Sequence, residues 1–173
     1  MRQSRPSQEA RKPILSARGG PVGTEVTVVM TGLDPAQSVR IGFGSFTQYT
    51  GLGSHEAGPE GMLVANLVIP DWAEVDHPHY FVLNLGNRVP RITSEPFHVT
   101  DADGIAHVSG TVNDQGIGCL GIDGPEGVLY ALQGGRRGFK PGQRVKVVGT
   151  IADVEACSGL GLPIAVQEIT ASP

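Results

Sequence analysis

The sequence predicts an all-β chain of two small domains, a β-sandwich followed by a small closed barrel. Three observations point there. Glycine (25) and proline (13) are frequent in a chain of 173 residues, which breaks helices and favours short strands joined by turns. Apolar and polar residues alternate at period two in segment after segment, with no helical stripe between them. The pattern pauses at Thr100-Asp101-Ala102-Asp103-Gly104 and then restarts. These features divide the chain into a basic arm (1–12), a sandwich (13–100), a linker (101–104) and a barrel (105–173). A hydrophobic content of 39% is too high for a disordered chain.

In the first domain, Pro13-Ile14-Leu15-Ser16 precedes a Gly19-Gly20-Pro21-Val22-Gly23-Thr24 turn. Glu25–Thr31 is the first clear strand, with Val26, Val28 and Met30 on one face, and Gly32-Leu33-Asp34-Pro35 closes it. Val39, Ile41 and Phe43 mark a second strand. Residues 50–61, TGLGSHEAGPEG, read as a long polar loop. Met62–Ile69 places Leu63, Ala65, Leu67 and Ile69 on one apolar face and stops at Pro70. His79–Leu85 does the same with Phe81, Leu83 and Leu85, and Glu95–Thr100 reads as a closing edge strand.

The run PILSARGGPVGTEVTVVMTGL resembles the opening of bacterial Ig-like domains of the IPT/TIG kind. Those domains begin with a proline strand, a Gly-Pro-x-Gly-Thr turn and a Val-Thr-Val strand ending in Thr-Gly. Gly61, Pro70 and Pro96-Phe97-His98-Val99-Thr100 extend the likeness over residues 13–100, with Leu33 where the family commonly has Phe. The resemblance implies an Ig-like sandwich and a non-catalytic module for spacing, adhesion or protein contact, with loop tips at one end making the contacts.

Beyond the linker, HVSGTV, GVLYALQG, RVKVVGTI and PIAVQEI carry β patterns. The turn Lys140-Pro141-Gly142-Gln143 enters the third of them in a manner typical of small closed barrels. This order of segments is similar to small bacterial OB-like barrels of unassigned function. About 69 residues suit a five-stranded barrel of that sort, whose closure removes exposed edges.

A net charge of −4 provides no global field for nucleic acid or acidic membranes. The one asymmetry is the arm, where Arg2, Arg5, Arg11 and Lys12 face a single acid, Glu9. It reads either as a solvated tail or as an arm docking on an acidic neighbour. Arg136, Arg137, Lys140, Arg144 and Lys146 form a local basic strip, but Tyr130 and Phe139 are the barrel's only aromatics, so a single-strand nucleic-acid groove is not expected. No apolar run is long enough to span a membrane as a helix, and the N-terminus has no h-region of a signal peptide. Synthesis and retention inside a cell, or a mature fragment whose export signal has been removed, both fit.

Cys119 and Cys157 both fall in the barrel. A bridge between them would close about 38 residues, worth roughly 4 kcal/mol on the chain-entropy model. A structural disulfide is expected, with free thiols as the alternative; a bridge would favour an exported protein. Asp76-His77-Pro78-His79 is the densest ligand-like cluster, because an extended His-Pro-His segment turns both imidazoles one way. Asp76, His77 and His79 are therefore the candidate metal ligands, although no third ligand is fixed by spacing and a polar loop with histidines is usually just a loop. Trp72 beside them is either a lid on the sandwich end or a partner contact.

Three strings look like motifs and lack their context. Gly116–Gly121 satisfies G-x-G-x-x-G, but the following Asp-Gly-Pro-Glu-Gly cannot be a helix, so no dinucleotide cofactor is expected. Asp101-x-Asp103-Gly104 lacks the remaining ligands of a calcium loop. Ser54-His55-Glu56 are chain neighbours, which do not make a triad. No catalytic residue and no cofactor are predicted. The function expected is a non-catalytic interaction or structural module that binds a protein partner or self-assembles in the periplasm, at the cell surface or outside the cell. The alternatives are a decoration subunit of a virion or cytoplasmic assembly docked through Arg2, Arg5, Arg11 and Lys12, and a small-ligand or metal-binding protein.

Overall fold

The computed structural model describes residues 12–45, 48–86, 91–113, 120–134, 138–152 and 161–172. The chain divides into two compact units, one of Met1–Ser16, Val26–Leu67 and Tyr80–Glu95, the other of Ala17–Glu25, Val68–His79 and Pro96–Pro173. Among the described residues the only helical element is a 3-10 turn at Pro125–Gly127, and the fold is all-β as the alternation predicts.

Among the described residues nine strands precede the barrel: β1 (Ile14–Leu15), β2 (Gly19–Gly20), β3 (Glu25–Met30), β4 (Ser38–Gly44), β5 (Tyr49–Glu56), β6 (Leu63–Val68), β7 (His77–Asn84), β8 (Ile92–Thr93) and β9 (Phe97–Val99). One sheet has the order β1-β3-β6, the other β2-β9-β7-β4-β5, with β8 also paired to β7. In the first unit, Val26, Val28, Met30, Leu63, Ala65 and Leu67 fill the buried face of one sheet, and Val39, Ile41, Phe43, Phe81 and Leu83 that of the other. Phe43 and Phe81 sit opposite each other in register with ring centroids 4.8 Å apart, a cross-strand aromatic pair that fixes β4 against β7. Gly61 holds the bend before β6. Its φ is +75°, its carbonyl accepts the Leu33 N–H at 3.0 Å, and a Cβ there would lie 2.2 Å from the Leu33 oxygen.

Two elements differ from the sequence reading. The segment expected as a loop at 50–61 begins with strand β5, paired along its length to β4 across a bulge at Ile41/Gly42. An edge strand needs only one hydrogen-bonded neighbour. β5 buries neither face, so it shows no apolar alternation from which to recognise it. The closing strand β9 is not an edge, because it lies between β7 and the parallel β2. Pro96 stands just before β9, so its missing N–H leaves the ladder intact.

In the second unit, β10 (Ile105–Asn113), β11 (Leu120–Asp123), β12 (Leu129–Gln133), β13 (Arg144–Ile151) and β14 (Leu162–Ala171) close a barrel in the order β10-β11-β12-β14-β13. β12 and β14 are parallel, and β13 returns to β10. Its interior holds Ala106, Val108, Val112, Ile122, Tyr130, Leu132, Val145, Val147, Leu162 and Ile164. The Lys140–Gln143 segment forms the expected turn, with the Gln143 N–H bonded to the Lys140 carbonyl at 3.1 Å. Residues 17–25, 68–79 and 96–100 pack in one unit with this barrel, although the strand order changes only after Val99.

The barrel bends at a bulge between Val148 and Gly149, where a Cβ on Gly149 would meet the Ala165 carbonyl oxygen at 2.2 Å. Gly149→Ala should therefore destabilise the barrel by about 1–3 kcal/mol, as overpacking against backbone does. Gly51→Ala, which meets nothing within 4 Å, should change stability by less than about 0.5 kcal/mol. Urea unfolding of the two variants measures the contrast.

Candidate functional site

The polar residues that the fold brings together are Asp76, His98, His107 and Tyr130, all in the second unit. His98 lies on β9 between Phe97 and Val99, and side chains alternate along a strand, so its imidazole leaves by the other face. It is fully buried. Its Nδ1 is 2.9 Å from the Tyr130 hydroxyl, with the rings edge-on at 81°. Its Nε2 is 3.5 Å from Asp76 Oδ1, longer than an ordinary N–H···O bond, and has no closer partner among the described residues. The tautomer that suits both neighbours takes the Tyr130 O–H proton at Nδ1 and directs Nε2–H toward the carboxylate.

Asp76 is held by its own backbone. It adopts φ +61°, and its N–H donates to the Val99 carbonyl at 2.7 Å. Its carboxylate accepts the His107 backbone N–H at 2.9 Å and lies 3.3 Å from His107 Nδ1 at the half-exposed end of the cluster. The result is a chain of polar groups running from the buried phenol through His98 and Asp76 to His107.

The neighbouring histidines are engaged separately. His79 is buried, with Nδ1 at 3.0 Å from the His77 carbonyl and Nε2 accepting the Glu74 N–H at 3.3 Å. The exposed His77 lies 3.8 Å from Glu74. Asp76, His77 and His79 therefore do not share a ligand position. Asp76 turns toward His98 and His107, and both His79 ring nitrogens face backbone groups. Among the described residues no group of three or more His, Cys, Asp or Glu side chains is placed to hold a metal ion. Asp101 uses one carboxylate oxygen to cap its own turn, accepting the N–H groups of Asp103 at 3.0 Å and Ile105 at 2.8 Å.

The remaining candidates are dispersed. Trp72 is 47% exposed. Lys12 pairs with Glu95 at 2.8 Å on the surface of the first unit. Arg2, Arg5, Arg11, Cys119 and Cys157 lie outside the described residues, as do Arg136 and Arg137 of the basic strip. Ser54, His55 and Glu56 are consecutive on β5 and so alternate between its faces. A strand, not a helix, runs from Leu120 after the glycine string. In the first unit a shallow open concavity is lined by Ser38, Arg40, Asn84, Leu85 and Gly86, without a carboxylate, imidazole or thiol. No protein-family model, curated protein or solved structure matches the chain.

Burial pushes the His98 imidazole down to about 4, against the opposing pull of Asp76. Burial also lowers His79, opposed by its hydrogen bond to the His77 backbone. Between pH 6.5 and 4 the unfolded chain binds a proton at His98 that the folded chain refuses, so stability falls as pH falls through that window and is full above it. The loss attributable to His98 is about 3 kcal/mol. Denaturant unfolding at stepped pH should show it, and His98→Gln should flatten the dependence by about one proton's worth of slope. Tyr130→Phe, which leaves Nδ1 buried without its donor, should cost about 1–3 kcal/mol at neutral pH.

Proposed function

We propose that the protein is a non-catalytic module that makes protein contacts through the outer face of the β1-β3-β6 sheet, in an envelope or extracellular setting. The observation that carries this reading is an apolar row on that face. Ile14 is 71% exposed and lies opposite Val29 in register. Thr27 and Asn66 share a hydrogen bond at 2.7 Å, so the alternation along β3 and β6 puts Val29 beside Val64, which is 51% exposed. Three β-branched side chains thus lie in line across three strands on a face that turns its other side to the core. Single exposed valines are ordinary, whereas a contiguous apolar row supports a contact surface.

The polar cluster supports the same reading by its inaccessibility. His98 and Tyr130 are sealed from solvent, so a substrate atom has no approach to either of these two groups. The extracellular setting rests on Cys119 and Cys157 being paired, and both should resist thiol alkylation until the protein is reduced.

A photo-crosslinking residue at position 14 or 64, in protein expressed in its source cells, should give a discrete protein adduct, and the same residue at position 50 on β5 should not. Equal labelling at all three positions, or none, would remove the reading.

A further inference from the structure

Among the described residues five strands of the two sheets pair on one side only, and they are not alike. β1, β2 and β8 are two residues each, too short to template a partner. β5 is long but polar, contains Gly51 and Gly53, carries an extra residue, Leu52, at the bulge opposite Ile41/Gly42, and ends in His55-Glu56. These are the devices that keep edges from pairing: shortness, glycine, charge and local twist. β6 has none of them. Its six residues, Leu-Val-Ala-Asn-Leu-Val, contain no glycine, no proline and no ionisable group, and they alternate buried and exposed without interruption.

The hydrogen-bonding phase of β6 is also defined. Ile69, just beyond it, donates to the Thr24 carbonyl and accepts the Gly23 N–H, both at 2.9 Å, so the odd-numbered residues face β3. The backbone groups of Val64, Asn66 and Val68 therefore point to the open edge.

We propose that β6 is a strand-pairing edge whose occupant is β6 of a second copy of this chain, antiparallel about a two-fold axis at Asn66. This deepens the reading of the protein as a contact module and rests on it. A two-fold axis at Asn66 brings all three outward-facing residues into hydrogen-bonded pairs, Asn66 with Asn66 and Val64 with Val68, whereas an axis at Ala65 aligns only two of them. The side chains fit the same register. Val64 against Val68 is a β-branched cross-strand pair. Asn66 accepts the Thr27 hydroxyl at Oδ1, and its amide carries N–H groups that can donate to the partner's Oδ1, a self-match available to an amide and not to a lysine or glutamate. No like charges meet, because the strand carries none. The row Ile14-Val29-Val64 then continues into the partner's sheet.

Sedimentation velocity of the full chain at rising concentration tests this. The chain should sediment as a dimer, and Asn66→Lys, which sets two ammonium groups face to face, should weaken dimerisation about tenfold or more while the circular dichroism spectrum remains that of the folded β chain. Asn66→Cys should form a disulfide-linked dimer on mild oxidation, mapped to position 66 by peptide mass. A chain that stays monomeric, or a dimer that Asn66→Lys does not weaken, overturns the pairing. A monomeric chain that still gives a heterologous adduct at position 64 overturns the pairing alone; a monomeric chain with no adduct removes the contact surface as well.

Discussion

His98 has no route to water, so both ring nitrogens depend on what the fold brings to them: the Tyr130 hydroxyl at 2.9 Å and the Asp76 carboxylate at 3.5 Å. A buried imidazole without a partner on either side would lose a hydrogen bond it had in water. Much of the second unit's local geometry follows from that need. Asp76 occupies a left-handed backbone conformation that only a few non-glycine residues tolerate, and there its N–H reaches Val99 while its carboxylate reaches His98 and His107. Tyr130 brings its hydroxyl to the ring from β12, a barrel strand, while its own ring stays buried. A strand of the larger sheet and a strand of the barrel are thereby tied within one compact unit, which is why packing groups residues 96–100 with the barrel while the strand order does not.

Closure explains the division of labour between the two architectures. The barrel gives every strand two neighbours, over part of its length at least. The open sheets must treat each edge individually, and they do so with different means at β1, β2 and β5. Among the described residues β6 is left neutral and six residues long, although Asn66→Lys or a proline would have closed its edge at little cost to the core on the other face.

The strands with one buried face were the legible part of the chain. β3 and β6 bury every second residue, and the sequence reading of Val26, Val28 and Met30, and of Leu63, Ala65 and Leu67, transfers to the structure unchanged. β5 was not legible, since a strand that buries nothing writes no period into its sequence. Nor was the barrel's strand order, because parallel pairing of β12 with β14 is set by tertiary closure and leaves no local mark.

The site shows the same boundary more sharply. Reading along the chain groups Asp76 with His77 and His79, because proximity in sequence is all that spacing can register. The fold groups it with His98 and His107, distant in sequence and adjacent in space. One signal was present. A histidine flanked by Phe97 and Val99 on an apolar strand, followed by a buried Thr100, has to be buried with a partner or to break the strand. What the sequence does not carry is which hydroxyl would meet it, since Tyr130 reads only as a core aromatic. Residues that bear acid–base chemistry are thus spent on holding two strands together. On the proposed reading, recognition falls to the apolar row and the open edge of β6.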